Sequence, residues 1–167
     1  MAQETVSTFL CSREPDVEDF LKTKAAKYEK TSKSRTYLII DEESLMKKEI
    51  RIIAYFTLAL KTLSIGSDVS KSKVKKLDGL FNKATNVTAY LIGQLGKNDL
   101  YKSCITGKEI IDYAVNIIVK VHGLIGGRFI LVECNDNEKL IKFYNDNSFV
   151  YLQKDIGNGL VQLIRFL

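Results

Sequence analysis

Residues 87–149 carry the strongest pattern in the chain: VTAYLIGQLG (87–96), KNDLYKSCITG (97–107), KEIIDYAVNIIVKV (108–121), FILVE (129–133), NEKLIKFY (137–144) and SF (148–149). The first run is apolar and β-prone, so Val87–Leu95 reads as a strand. A polar loop with one glycine follows. Ile110, Ile111, Ala114, Ile117, Ile118 and Val121 then recur at spacings of one, three and four residues, one stripe of a helix over Gly107–Val121. Gly123, Gly126 and Gly127 are expected to terminate it. Phe129–Glu133 is short, apolar and bounded by glycines and polar residues, as a buried strand is. Asn135–Asn137 offers N-caps for a helix to about Asn145.

On the N-terminal side, Thr5–Cys11 alternates weakly and is expected to be a strand. Pro15 fits the first position of a helix, with Asp16, Glu18 and Asp19 in the turn where the helix dipole favours acids. Val17, Phe20, Leu21, Ala25 and Tyr28 keep helical spacing, and the helix should end near Thr31–Ser34. Thr36–Ile40 reads as a strand, Glu42–Glu49 as a polar turn, and Ile50–Thr62 as a central strand. Ser64–Asn86 is a long connection with a short helix around Ser72–Leu80, and a connection of that length usually serves function. Val150–Lys154 and Leu160–Phe166 flank Asn158-Gly159, a hairpin signal. The expected order is β-α-β-β-loop-β-α-β-α-β-β, in one domain spanning residues 1–167.

Composition is that of an ordinary globular protein: 46% hydrophobic residues and a single proline. No run approaches the roughly 18 apolar residues a membrane span needs. The first residues, MAQETVSTFLCSRE, lack a basic region followed by an apolar one. Cys11, Cys104 and Cys134 are odd in number and far apart, so reduced thiols and a cytoplasmic location are expected.

The net charge of +5 is uneven. Lys22–Arg35 holds six basic residues against Glu29, and Lys71–Lys76 holds four more. Both suit either solvated faces or a polyanion footprint. Neither run interleaves aromatic residues in the way a base-stacking surface does, so base-specific recognition is not expected. His122, the only histidine, closes an apolar helix, and a hydrolase triad is not indicated. No pair among the cysteines and His122 has zinc-ligand spacing, so no metal is expected.

A strand–loop–helix unit presents unpaired N–H groups and partial positive charge at the helix N-terminus, a seat for phosphate. The candidate loop is Lys102, Ser103, Cys104, Ile105, Thr106, Gly107 and Lys108. Gly107 lets backbone approach a ligand, the hydroxyls donate hydrogen bonds, and the lysines add charge. Neither a Walker A loop nor Gly-x-Gly-x-x-Gly is present.

This second half resembles the acyl-CoA-binding core of the GCN5-related N-acetyltransferases. That family's loop reads Gln/Arg-x-x-Gly-x-Gly/Ala and holds the CoA pyrophosphate; here Lys102, Ile105 and Gly107 stand at those places. Ile105 in place of glycine is expected to alter the turn or withhold an amide. The family's last motif is Asn, Tyr seven residues later, then Gly-Phe, matched by Asn137, Tyr144, Ser148 and Phe149. The resemblance implies that Tyr144 protonates the departing CoA thiolate, a task suited to a phenol. It implies that backbone near Leu95, Gly96 and Lys97 holds the pantetheine and polarises the thioester carbonyl.

The N-terminal half (Phe9-Leu-Cys11, Phe20-Leu21, Ser34–Leu38, Ala54–Ala59) together with Leu91–Leu95 is similar to the acetyltransferase toxins of bacterial toxin–antitoxin pairs. The implied fold is a mixed, twisted α/β (α+β) sheet of about 6–7 strands with about 4 helices. The implied reaction is acetyl transfer from acetyl-CoA to a primary amine, the α-amine of an aminoacyl-tRNA. Acetylation of a protein or small-molecule amine, and a non-catalytic binding protein of this fold, are the alternatives. Implied partners are tRNA, through Lys22–Arg35 and Lys71–Lys76, and a ribbon-helix-helix antitoxin; a homodimer is also compatible. No strong general base is nominated: an α-amine titrates near 8, well below lysine at about 10.4, and an adjacent ester lowers it further. Glu133, the acid closest to the core in sequence, is expected to cap a strand.

Overall fold

The structure is a computed structural model that describes residues 2–155 and 157–167, the side chains of residues 2–4 excepted. Its elements in order are α1 (Ala2–Ser7), α2 (Pro15–Asp19) continuing through a π-helical turn (Phe20–Lys24) into α3 (Ala25–Lys30), β1 (Arg35–Ile40), α4 (Glu42–Met46), β2 (Ile52–Ser64), α5 (Lys71–Asp78), β3 (Asn86–Lys97), a 3-10 turn (Asp99–Tyr101), α6 (Gly107–Ile125), β4 (Phe129–Cys134), α7 (Glu138–Asp146), β5 (Val150–Lys154) and β6 (Val161–Phe166). The strands form one six-stranded sheet in the order β1-β2-β3-β4-β6-β5. β1–β2, β4–β6 and β5–β6 are antiparallel, whereas β3 and β4 are parallel. The parallel arrangement follows from α6, which crosses between those two strands. The mixed sheet flanked by helices is the expected fold class.

Contacts group the chain into two compact units. One comprises the residues up to Ala59 with Gly93–Ala114. Its core gathers Phe9, Cys11, Phe20, Leu21, Ala25, Ile52 and Tyr55. Phe9 packs edge-on against Tyr55, their ring centroids 5.3 Å apart. The Tyr55 hydroxyl donates to the Val17 carbonyl, and burial pushes its phenol far above its usual range. The other unit comprises Leu60–Ile92 with Val115–Leu167. Its core gathers Leu63, Leu77, Val87, Ala89, Phe129, Leu131, Leu152 and Ile164. Val87 and Ala89 of β3 and Phe129 and Leu131 of β4 enter it at alternate positions, as period-two strands require.

Three local expectations are corrected. Thr5–Cys11 is not a strand: α1 covers Ala2–Ser7, and the residues after it are irregular. The alternation is real, with Phe9 and Cys11 buried and Leu10 exposed. The backbone bonds go elsewhere: Leu10 N–H donates to the Asn98 side chain, and Leu10 C=O accepts from Asp99 N–H. Alternating burial shows which side chains enter a core, not whether the backbone joins a ladder. The connection Glu42–Glu49 holds a short helix, because Asp41 caps it by accepting from Glu43 N–H. Gly123 does not end α6. It lies inside the helix, and termination waits for Gly126 and Gly127, whose φ values of +74° and +122° leave the helical region.

Candidate functional site

β3 carries the first part of the candidate site. Its parallel pairing with β4 covers Tyr90–Ile92 against Ile130–Val132. The strand itself runs on through Gly93, Gln94, Leu95 and Gly96 to Lys97. Gly96 is required by packing: a Cβ there would lie 2.6 Å from Val17 Cγ1 and 2.9 Å from Tyr55 Cε1. Asn98 then pins the strand end. Its amide donates to Ile52 C=O at 2.7 Å, its backbone N–H to Ile53 C=O at 2.9 Å, and its Oδ1 accepts from Leu100 N–H. Asn98 is buried and fully engaged.

Asp99 accepts from both the backbone and the hydroxyl of Ser12, at 2.8 and 2.6 Å, and pairs with Lys102 at 3.3 Å. These bonds, the Ser12 hydroxyl first, lower its pKa from 3.8 to about 2. Since the folded value is the lower one, the carboxylate stabilises the fold above pH 3.8, and that contribution disappears as pH falls toward 2. Ser12→Ala is expected to move the Asp99 titration upward, as read by carboxyl-carbon NMR. It should lower thermal stability at neutral pH and leave stability near pH 2 unchanged.

The loop Lys102–Lys108 follows. Lys102, Ser103, Cys104, Thr106 and Lys108 are exposed, and Ile105 is buried. Lys97 Nζ donates to Lys102 C=O at 3.1 Å. Ile105 stands where the resembling family has glycine. Its backbone is outside the left-handed region and its side chain sits in the core, so the substitution forces no strained φ.

Thr106 and Glu109 form a capping box at the start of α6. Glu109 N–H donates to Thr106 Oγ1 at 3.2 Å, and Thr106 N–H donates to Glu109 Oε2 at 2.7 Å. The bonds from the Thr106 hydroxyl and amide hold the Glu109 carboxyl below its ordinary pKa. One loop amide is therefore already occupied by a carboxylate. The signal, Thr-x-x-Glu before an apolar stripe, was present in the sequence.

The second part is α7 and the turn after it. Asn137 caps α7 by accepting from Lys139 N–H at 2.9 Å and Leu140 N–H at 3.3 Å. At the other end Phe149 N–H donates to Tyr144 C=O and Ser148 N–H to Asn145 C=O, both at 3.0 Å, a Schellman motif. Its left-handed position is Ser148, with φ +68°. The accompanying apolar contact joins Phe149 to Tyr144, centroids 5.8 Å apart and edge-on. Tyr144 is buried and also touches Phe143. The motif residues Asn137, Tyr144, Ser148 and Phe149 are thus one structural unit: cap, half of a ring pair, left-handed corner and the other ring. Ser148→Gly should stabilise the protein by about 0.5 to 1 kcal/mol, because glycine accepts this φ without strain but loses more chain entropy on folding. A thermal melt raised by a few degrees is the check.

Sequence reasoning missed a row of polar side chains. Lys61 Nζ reaches both Glu133 oxygens at 2.7 and 2.6 Å. Gln162 Nε2 donates to Glu133 at 2.8 Å and to Asp155 at 3.1 Å, and Gln153 Nε2 donates to Gln162 at 2.8 Å. Gln162 is fully buried. Glu133 is therefore held by a cation and an amide rather than capping a strand as expected. The signal was weak, since Lys61, Glu133 and Gln162 belong to three separate strands.

Cys11, Cys104 and Cys134 form no disulfides, and burial raises the Cys11 pKa. His122 lies one turn before the end of α6, with Nδ1 enclosed and without a hydrogen-bond partner among the described residues. Among the described residues no helix is long and apolar enough to cross a membrane, and no group of three acid, histidine or cysteine side chains is arranged to hold a metal.

No family model matches this chain, and no curated protein matches it. Solved structures do. A tyrosine-to-phenylalanine mutant of the AtaT toxin, bound to the C-terminus of the antitoxin AtaR and acetyl-CoA, superposes with a TM-score of 0.70 at 17% identity, over 97% of this chain and 85% of that one. AtaT complexed with acetyl-methionyl-tRNAfMet gives 0.72 at 22% identity, over 93% and 85%. A tyrosine-to-phenylalanine mutant of KacT gives 0.73 at 20% identity, over 95% and 86%. At these identities the likeness establishes the fold. The chain has the fold of the GCN5-related N-acetyltransferase toxins.

Proposed function

We propose that residues 1–167 act as one acetyl-CoA-dependent N-acetyltransferase domain, and that the acceptor is the α-amine of an aminoacyl-tRNA, so that acetylation blocks translation. The observation that carries this reading is Tyr144, in the last turn of α7, its carbonyl held by the Schellman motif and its ring braced by Phe149. AtaT, of the same fold, has been solved with acetyl-CoA and with an acetylated initiator tRNA.

Backbone groups of Leu95, Gly96 and Lys97 would bind the pantetheine and polarise the thioester carbonyl. The loop Lys102, Ser103, Cys104, Ile105, Thr106, Gly107 and Lys108 would hold the pyrophosphate through amides, hydroxyls and lysine charge. Asn137 contributes by capping the helix that carries Tyr144. The neutral amine attacks the acetyl carbonyl, the C–S bond breaks, and the Tyr144 hydroxyl donates its proton to the leaving sulfur. The proton shed by the amine passes to solvent, and the Tyr144 phenolate regains a proton from solvent. A strong base is unnecessary because much of an ester-adjacent α-amine is already neutral near pH 7.

The Glu109 carboxylate on Thr106 N–H favours a second reading, a non-catalytic member of the fold with weakened CoA binding. Calorimetric titration of acetyl-CoA into wild type and Gly107→Trp separates the two. Micromolar binding that the tryptophan abolishes supports the enzyme, to be followed by mass spectrometry of charged tRNA for the added acetyl group. Absence of binding to wild type would sink it.

A further inference from the structure

We propose that Tyr151 and the lysines of α5 form a docking track for an unpaired stretch of RNA, with Tyr151 as a base-stacking platform. The inference rests on the reading that the acceptor is a charged tRNA, and it names the surface that would receive the nucleic acid.

The two lysine runs, equivalent in sequence, differ in the folded chain. In the first, Lys22, Lys24 and Arg35 are ion-paired to Glu18, Asp19 and Glu29. In the second, none of Lys71, Lys73, Lys75 and Lys76 pairs with an acid among the described residues. α5 buries Val74 and Leu77, which turns Lys71, Lys75 and Lys76 to solvent. A footprint for phosphates needs uncompensated charge, so α5 is the better surface.

The only aromatic in the first run, Tyr28, packs edge-on against Phe20 at the core. The α5 run has none of its own, yet the fold supplies one. Lys73 Nζ donates to the backbone carbonyl of Tyr151 at 2.8 Å, which binds the basic helix to β5. Tyr151 is 51% exposed although it lies in the sheet. Tyr151 lines two clefts of about 550 Å³ each. One is lined by Lys73 and Lys76, the other by Lys61 and Lys154, and both include Asp68 and Tyr151. Lys61 and Lys154 are held by Glu133 and Asp136, so the α5 side carries the net positive charge.

An exposed aromatic ring flanked by unpaired lysines and by serines (Ser70 and Ser72 on the α5 side) suits a nucleotide chain whose bases are unstacked. A duplex hides its base faces and would gain only the charge term. An acidic peptide would gain the lysines but little from the ring.

The test is fluorescence anisotropy of a labelled eight-nucleotide single-stranded RNA with the full chain. Wild type should bind with affinity that falls steeply with salt. Tyr151→Ala should weaken binding about tenfold, the worth of one base–aromatic stack. Lys73→Met combined with Lys76→Met should reduce the salt slope by roughly 1.4, two single-strand phosphate contacts. Lys27→Met with Lys30→Met, in the other run, should change neither. Thermal melts of each variant confirm the fold, and acetyl-CoA titration of each should match wild type. The proposal is overturned if wild type binds no RNA, or if Tyr151→Ala binds as wild type does. It is equally overturned if duplex RNA or a polyglutamate peptide of equal charge displaces the probe more effectively than unlabelled single strand. Acetyl-CoA binding without RNA binding refutes this surface alone. RNA binding without acetyl-CoA binding refutes the acetyltransferase reading and leaves the surface standing.

Discussion

Tyr144→Phe should lower kcat by about 100-fold or more and leave the acetyl-CoA Kd unchanged, because it removes the proton donor and keeps the ring. The phenylalanine ring can keep the contacts with Phe143 and Phe149, whose centroids lie 5.2 and 5.8 Å away. The Schellman bonds use only backbone atoms of residues 144, 145, 148 and 149, so the corner survives. Stopped-flow or steady-state release of free thiol, measured beside calorimetric binding, separates the two effects. Equal turnover in the mutant would mean that the thiolate leaves without this phenol. A matching loss of binding would mean that Tyr144 holds the cofactor instead.

Phe149→Ala should cost about 3 to 5 kcal/mol, the usual range for deleting a buried phenylalanine ring. For a chain of 167 residues that is roughly 6 to 20 °C of Tm. Phe149 is 1% exposed, and its ring is the apolar half of the Schellman motif. Removing it leaves a cavity beneath Tyr144, which then samples more than one rotamer. Activity at low temperature, where the variant is still folded, should therefore fall as well. Phe149→Leu refills most of the volume and should recover most of the stability. If Phe149→Ala melts with wild type, the ring is not part of the core and the bracing argument for Tyr144 fails.

Much of the architecture was legible because the strongest elements have long, clean periods. The stripe of α6 and the run FILVE each state a structure and a buried face at once. The motif Asn137, Tyr144, Ser148 and Phe149 was legible for a similar reason: all its parts lie on one helix and its exit, so spacing along the chain is also spacing in the fold. The errors fell where period and backbone pairing part company. Phe9 and Cys11 alternate into a core while their neighbour Leu10 bonds to Asn98 and Asp99. Gly123 marked a helix end that continued to Ile125. One glycine costs only about 1 kcal/mol in a helix otherwise well buried.

The amino-acid order by itself determined the local parts of this protein: which segments pair or coil, where α6 and α7 begin, and which phenol stands at the corner of α7. Those follow from propensity, periodicity and capping, interactions that reach only a few residues along the chain. Tertiary structure alone decided the rest. It joined Lys61, Glu133 and Gln162 from three strands into one bonded row. It neutralised half of one lysine run and left the other without acid partners among the described residues, and it set Tyr151 beside Lys73, 78 residues away. Charge compensation and stacking depend on distance in space, and along a sequence that distance is not yet defined.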